Sequence, residues 1–496
     1  MEENGSSLSL EQRKQSMRSI TADGMAYSVM AGLGDAYLPA SLVLLGASDF
    51  WIGMLAALPQ LFGGISQSFS LAVLRLFRDR KLLVLAGSIF QALTWLPIIA
   101  LLLWPGDLSV PLIIFFFSLG TGASLMINPV WSSWVADIVE QNERAHFFAN
   151  RNKLMQVMLF IATFGGGMIL RDLQMHYAVA ISFAMMFCAA FIFRATTALF
   201  HMRTAKVPYE IKLMNEIQTK HLFLLPAYKN ELWFLGFVAL MNFSVQFAAP
   251  FFTPYMLNTL KMDIGMLGAL TAISIIAKIL AFPYWGAAID RFSNRTVLIA
   301  TALMAPVVPL LWLFSGDIWM LVIFQVFSGF IWAGYDLAIF NSALSLVGRE
   351  LRPSFISKYN AFSCIANAAG ALAGGFFLVY FSTASILGFS GILLVFLLSG
   401  VMRLVVALAF TPHLVTSREI ANTTADRAII FKLVAVYPTQ GAVAQVMDGW
   451  DFTRKIVGRS TGSSGEMLRE GLEATGDLVR AGERKLMSKI SRKGRL

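Results

Sequence analysis

The sequence predicts an all-α polytopic membrane protein, with twelve transmembrane helices in two parallel six-helix halves and both termini cytoplasmic. Three observations carry that expectation. Of 496 residues, 57% are hydrophobic and only 14% are charged, with a mean hydropathy of +0.67, against about 45–50% and 25% in soluble domains. Apolar runs long enough to cross ~30 Å of hydrocarbon recur along the chain. The chain also repeats itself at an offset of 208 to 212 residues. This composition excludes a soluble globule, a disordered chain, a collagen and a disulfide-stapled domain as the main state.

The segment 1–21 is polar, with Glu2, Glu3, Glu11, Arg13, Lys14 and Arg18. The apolar run after it is too long for a signal core and no A-x-A pattern follows, so it reads as a retained helix. The spans are expected at about 22–45, 51–72, 82–104, 111–135, 153–170 and 177–200 in the first half. Those of the second half are expected at about 232–257, 265–289, 296–314, 318–342, 355–381 and 386–410. The halves, 22–200 and 232–411, are joined by a polar cytoplasmic linker at 201–231 that holds Pro208 and Pro226. Residues 412–496 form a basic cytoplasmic tail. From Glu466 its Leu468, Leu472, Val479, Leu486 and Ile490 follow a helical stripe, weakened by Gly471, Gly476 and Gly482. A partly ordered tail, a basic helix lying on anionic lipid and a protein-binding tail remain open readings.

The loops set the orientation. With the N-terminus inside, cytoplasmic segments carry Arg75, Arg78, Arg80, Lys81, Arg144, Arg151, Arg203, Lys206, Arg291, Arg295 and Arg352, among others. The opposite loops carry only Arg171 and Lys261. That asymmetry is the positive-inside pattern. It also accounts for much of the net charge of +10 without a nucleic-acid partner. The repeat pairs Ile52-Gly53-Met54-Leu55 with Ile264-Gly265-Met266-Leu267, Gly106-Asp107 with Gly316-Asp317, Gly166-Gly167 with Gly374-Gly375, and Arg194 with Arg403. Six crossings separate the copies, so both have the same orientation.

Twelve crossings in two parallel halves joined by a polar link resemble the major facilitator superfamily over about residues 20–411. The segment Gly286-Ala287-Ala288-Ile289-Asp290-Arg291-Phe292-Ser293-Asn294-Arg295 is similar to that family's loop signature. The resemblance implies a cytoplasmic gating loop: Gly286 allows close helix approach, Asp290 meets a helix N-terminus of the other half, and Arg291 and Arg295 hold the cytoplasmic face. Such a latch would stabilise an outward-open state. The segments 137–144 and 341–352 look like the family's helix-end loops, and their Arg144 and Arg352 are candidate partners of the loop acids. The first-half copy, Leu71 to Lys81, lacks the Gly.

Charges inside the spans need an explanation, since each costs at least about 2.5–3.5 kcal/mol at mid-bilayer on insertion scales. Asp35, near the middle of the first span, is the candidate for proton coupling; a structural carboxylate is the alternative. Lys278, at mid-depth in the eighth span, is a candidate contact for a substrate anion, or a partner of Asp35 or Asp336. Asp336 in the tenth span and its repeat counterpart Asn128 are further cavity candidates. Asn242 and Gln246, four apart on one helix face, suit hydroxyl or carbonyl ligands or act as glue between helices. Arg194 and Arg403 read as long side chains that snorkel outward as anchors.

Nothing points to an enzyme, a metal or a cofactor. The chain has no P-loop and no HExxH, its five His are scattered, and Cys188 and Cys364 have no CxxC partner. The leading expectation is a secondary transporter in the cytoplasmic (inner) membrane, moving a small solute by alternating access with possible proton coupling. A non-transporting sensor or scaffold on the same fold, and a lipid flippase, are the competing expectations.

Overall fold

A computed structural model describes residues 9–140, 143–207, 229–346, 352–381, 385–386 and 389–414. The expected tail stripe and most of the linker lie outside them.

The chain enters the structure on a capping box. Ser9 and Gln12 satisfy each other's backbone N–H groups at 3.2 and 3.1 Å, starting α1 (Leu10–Met30) well before the apolar run. A π-turn at Ala31–Asp35 interrupts the span before α2 (Leu38–Leu44). There Gly32 lies against Ala162 and Gly34 against Trp95, where an added Cβ would stand 2.6 Å from each. Then follow α3 (Asp49–Ser68), α4 (Ser70–Phe77), α5 (Arg80–Leu103), α6 (Ser109–Ile138), α7 (Arg144–His176) and α8 (Val179–Arg203).

In the second half α9 (Lys229–Gln246) gives way to short 3-10, α10 (Phe252–Pro254) and π pieces up to Thr259. Pro250 and Pro254 lack the N–H that a continuous helix needs. After it come α11 (Ile264–Phe292), α12 (Asn294–Met304), α13 (Val307–Leu311), α14 (Ile318–Ser345), α15 (Arg352–Phe381) and α16 (Ile392–Phe410). A two-residue ladder, Ser385–Ile386 against Phe389–Ser390, precedes α16.

Among the described residues, ten helical segments are long and apolar enough to cross a membrane. The first two expected spans fall short for a physical reason. One is broken at the π-turn and begins in polar residues; the other, α3, is 20 residues long but is diluted by Asp49, Gln60 and Gln67. Both still pack into the bundle, α1 on α7 and α8, and α3 on α6.

Contacts sort the helices into two groups. In the first, α5 joins α6 and α8; in the second, α14 joins α11 and α12, and α9 joins α15 and α16. Two seams connect the groups, α3 with α15 and α7 with α11. The ends differ. At the end away from the first and last described residues, one continuous apolar core runs across both groups, from Met30, Ile52 and Leu170 to Phe251, Leu267 and Phe396. At the terminal end each group has its own core, one around Trp134 and Leu83, the other around Trp285 and Phe355. The halves are thus fused at the far end and separate at the terminal end.

Glycines make the far-end seams. An added Cβ on Gly167 would stand 3.1 Å from the Gly268 Cα, and one on Gly53 would stand 3.2 Å from the Gly375 Cα. Small residues let helix backbones approach this closely. The neighbouring Gly166 and Gly374 instead face their own halves, against Leu33 and Phe251. Tyr37, fully buried, donates its hydroxyl to the Thr163 carbonyl at the same crossing.

Candidate functional site: the cavity between the halves

The separated terminal end leaves the polar groups of the inner spans accessible. Lys278 on α11 and Asp336 on α14 form an ion pair, Nζ to Oδ2 at 2.6 Å. Their side chains are 31% and 48% exposed. At mid-span depth that exposure requires water, since hydrocarbon would not tolerate two accessible charges. The geometry selects Asp336 as the partner of Lys278, among the two the sequence left open, because α11 and α14 pack directly on each other. Asn128, the repeat counterpart of Asp336, is also exposed on α6 and accepts from the Ser132 hydroxyl at 3.4 Å. Asn242 and Gln246 are half-buried near the end of α9.

Asp35 is not part of that pair. It ends the π-turn, where the wider ring shifts the side chain's direction, a feature often found at functional sites. It lines a cavity of about 110 Å³ that also touches Ile52, Phe117 and, from the other half, Pro250. Its Oδ1 is buried and has no hydrogen-bond partner among the described residues. A buried carboxylate oxygen without a donor is costly, and a bound proton would relieve that cost.

The loop after α11 differs from its expected role. Nothing lies within 4 Å of where a Gly286 Cβ would stand, so no close helix approach occurs there. The reason is the open terminal end, which keeps the opposite half away. Asp290 and Arg291 are exposed, and Arg291 lies over the Phe292 ring at 5.5 Å. Arg295 donates through Nε to the Leu414 carbonyl at 2.6 Å, tying the loop to the end of the second half. Ser293 holds φ 129°, ψ 161°, a conformation normally left to glycine, and its hydroxyl caps α12 by accepting from the Thr296 N–H. The side chains of Arg144 and Arg352, which open α7 and α15, lie outside the described residues.

The first-half loop spends its charges within its own half. Arg80, buried, pairs with Asp137 at 2.7 Å and donates to Ser133. Asp79 caps α5 by accepting from the Lys81 and Leu82 N–H groups and pairs with Lys206 at 2.7 Å. Burial pushes the Asp79 carboxyl up, but Lys206 and those N–H groups outweigh it and hold the carboxyl below its ordinary value. A depressed acid stabilises above its unfolded pKa, and the contribution is lost as pH falls through the folded one. Asp79→Ala is therefore expected to cost about 1 kcal/mol as a lost cap, a difference that shrinks in acid. Thermal unfolding at neutral and acid pH checks it; an equal cost at both would contradict it.

The two intramembrane arginines correct the sequence reading. Arg194 and Arg403 are 3% and 1% exposed. They do not snorkel, because each finds acceptors inside its own bundle. Arg194 donates to Thr197 at 3.0 Å and to Ser88 at 3.4 Å, and lies over the Tyr27 ring. Arg403 donates to the Ala305 and Val245 carbonyls at 3.2 and 3.4 Å.

One cluster escaped the sequence reading altogether. Asp23 on α1 is buried between Arg151 of α7 at 3.8 Å and His201 of α8 at 3.4 Å. Arg151 also donates to the Ile20 carbonyl and stacks on Trp131. The only signal was Asp23 itself, a charge at the edge of an apolar run; nothing in the sequence joins three distant helices.

Residues 232–452 match the Major Facilitator Superfamily. A mutant form of the nucleoside transporter NupG has the same fold, at 15% identity, 80% coverage of this chain, 99% of that chain and a TM-score of 0.63. By sequence the second half matches this superfamily, and both halves share the fold of that transporter. A bacterial homologue of the human lysosomal transporter Spinster, inward-facing and unoccupied, is similar at 11% identity, covering 86% and 98%, with a TM-score of 0.57. A bacterial homologue of the iron transporter ferroportin, inward-facing, is similar at 10% identity, covering 82% and 100%, with a TM-score of 0.55. At these identities the likeness is one of fold. No curated protein sequence matches the chain. With ten membrane-length apolar segments among the described residues and this match over its second half, it is a multi-pass membrane protein.

Proposed function

We propose that this protein is a secondary transporter of the cytoplasmic membrane that moves a small solute by alternating access. The carrying observation is the asymmetry of the halves: one shared apolar core at the far end, two separate cores at the terminal end. A rigid single bundle has no use for glycine-thinned seams at one end and an open, charge-lined gap at the other. The basic loop residues lie at the terminal end, which the positive-inside rule assigns to the cytoplasm. The structure then represents the inward-open member of the cycle, with the Asp290 loop released.

Proton coupling at Asp35 is the second part of the reading. It is supported by the orphaned Oδ1 in a small cavity bounded by both halves. In proteoliposomes, Asp35→Asn is expected to abolish uphill accumulation while solute exchange continues. Uphill uptake at the wild-type level in that variant would remove Asp35 from the mechanism. A solute screen in which nothing crosses the membrane, with lipid redistribution seen instead, would favour the flippase reading.

A further inference from the structure

The repeat places Arg194 and Arg403 at matching positions, but their surroundings differ. Arg194 lies in the fields of Asp23 and Asp35. At Arg403 the acting titratable neighbour is the Tyr335 hydroxyl, itself buried without a hydrogen-bond partner among the described residues. No carboxylate of the described residues pairs with Arg403, and its Nε–H is buried and unpartnered. Backbone carbonyls solvate this guanidinium but do not neutralise it. A buried cation at membrane depth calls for an anion.

The space for one is present. Arg403 lines a recess of about 350 Å³ inside the second half, within the range of small-molecule sites. Ser274 of α11 and Gln325 of α14 supply polar atoms, and Phe252, Trp312 and Trp332 supply aromatic surface. The recess lies beside the ion pair along α11 and α14. Ser274 is one helical turn from Lys278, and Trp332 is one turn from Asp336. A solute that displaces the ion pair therefore meets the recess next. The first half has no equivalent need, since its arginine already has acidic neighbours.

We propose that this recess is an organic-anion subsite: Arg403 takes a carboxylate or phosphate head, and the aromatic walls take an apolar body. The proposal rests on the secondary-transporter reading for its place in a transport cycle, but binding itself does not depend on flux. A guanidinium serves either anionic head through its N–H fork.

The test uses the full chain in neutral-lipid nanodiscs, with radiolabelled benzoate as probe. Phenyl phosphate, inorganic phosphate and neutral benzamide are the competitors. Saturable benzoate binding is expected, with benzamide at least about tenfold weaker, the worth of a charged hydrogen bond. Phenyl phosphate competing better than benzoate assigns the phosphate head; the reverse assigns the carboxylate. Arg403→Gln should weaken benzoate at least tenfold. Should that variant fail to fold, Ser328→Trp decides, because it fills the recess and leaves Arg403 in place. No saturable binding of either aryl anion, equal binding of benzamide, equal competition by inorganic phosphate, or unchanged binding in Ser328→Trp would overturn the proposal. Benzoate binding without any solute flux in proteoliposomes would instead sink the transporter reading and leave the subsite standing.

Discussion

Lys278→Met and Asp336→Asn should each reduce the initial rate of solute uptake by about a hundredfold, equivalent to about 2.7 kcal/mol, while barely changing thermal stability. The two parts of that expectation have different causes. The pair is 2.6 Å apart but 31% and 48% exposed. An accessible ion pair contributes at most about 1 kcal/mol to folding, so neither variant should unfold. Function is another matter. Removing one partner leaves a lone charge beside the route to the recess, where an arriving solute would otherwise exchange places with a neutral pair. The double variant, neutral again, should recover part of the lost rate, giving a coupling energy in a double-mutant cycle. Single variants that transport at the wild-type rate would show that the pair only glues α11 to α14.

Gly268→Val should shift the protein out of the far-end-closed state. The added Cβ would stand 3.0 Å from the Gly167 Cα and 3.2 Å from the Thr163 carbonyl oxygen, with the Tyr37 hydroxyl closer still. Two of those atoms belong to backbone and cannot swing aside. Overpacking of this kind costs about 1–3 kcal/mol, and it acts only while α7 and α11 are in contact. A penalty of that size changes a two-state ratio by about 5- to 30-fold or more. Gly286→Ala is the matched control. With open space around that position, it should be neutral in the terminal-end-open state, or gain up to about 1 kcal/mol from helix propensity.

Much of the architecture was legible because membrane spans announce themselves by length and apolarity. The repeat was legible for the same reason, since glycine pairs such as Gly166-Gly167 and Gly374-Gly375 stand out in apolar runs. The first span was less clear. Its helix starts at Leu10 on a capping box, and polar turns outside the membrane leave no hydropathy signal. Lys278 was legible as a charge needing a partner, but the choice of Asp336 over Asp35 depends on which helices touch. Arg194 and Arg403 were misread for a related reason. Whether a long cation snorkels or turns inward depends on the rotation of its helix against neighbours, and the acceptors Ser88, Val245 and Ala305 come from other spans. Gly286 was read as a contact residue because the loop signature belongs to a closed terminal end, and this state is open there.

The central claim is that the halves close one end as they open the other. Spin labels at two exposed pairs test it most directly: Leu45 with Lys261 at the far end, and Arg78 with Arg291 at the terminal end. Pulsed distance measurements on each pair, in wild type and in Gly268→Val, give the answer. The account expects the variant to lengthen the far-end distance and shorten the terminal-end one. Two distances that change in the same direction, or a single unchanged distribution at both ends, would contradict alternating access.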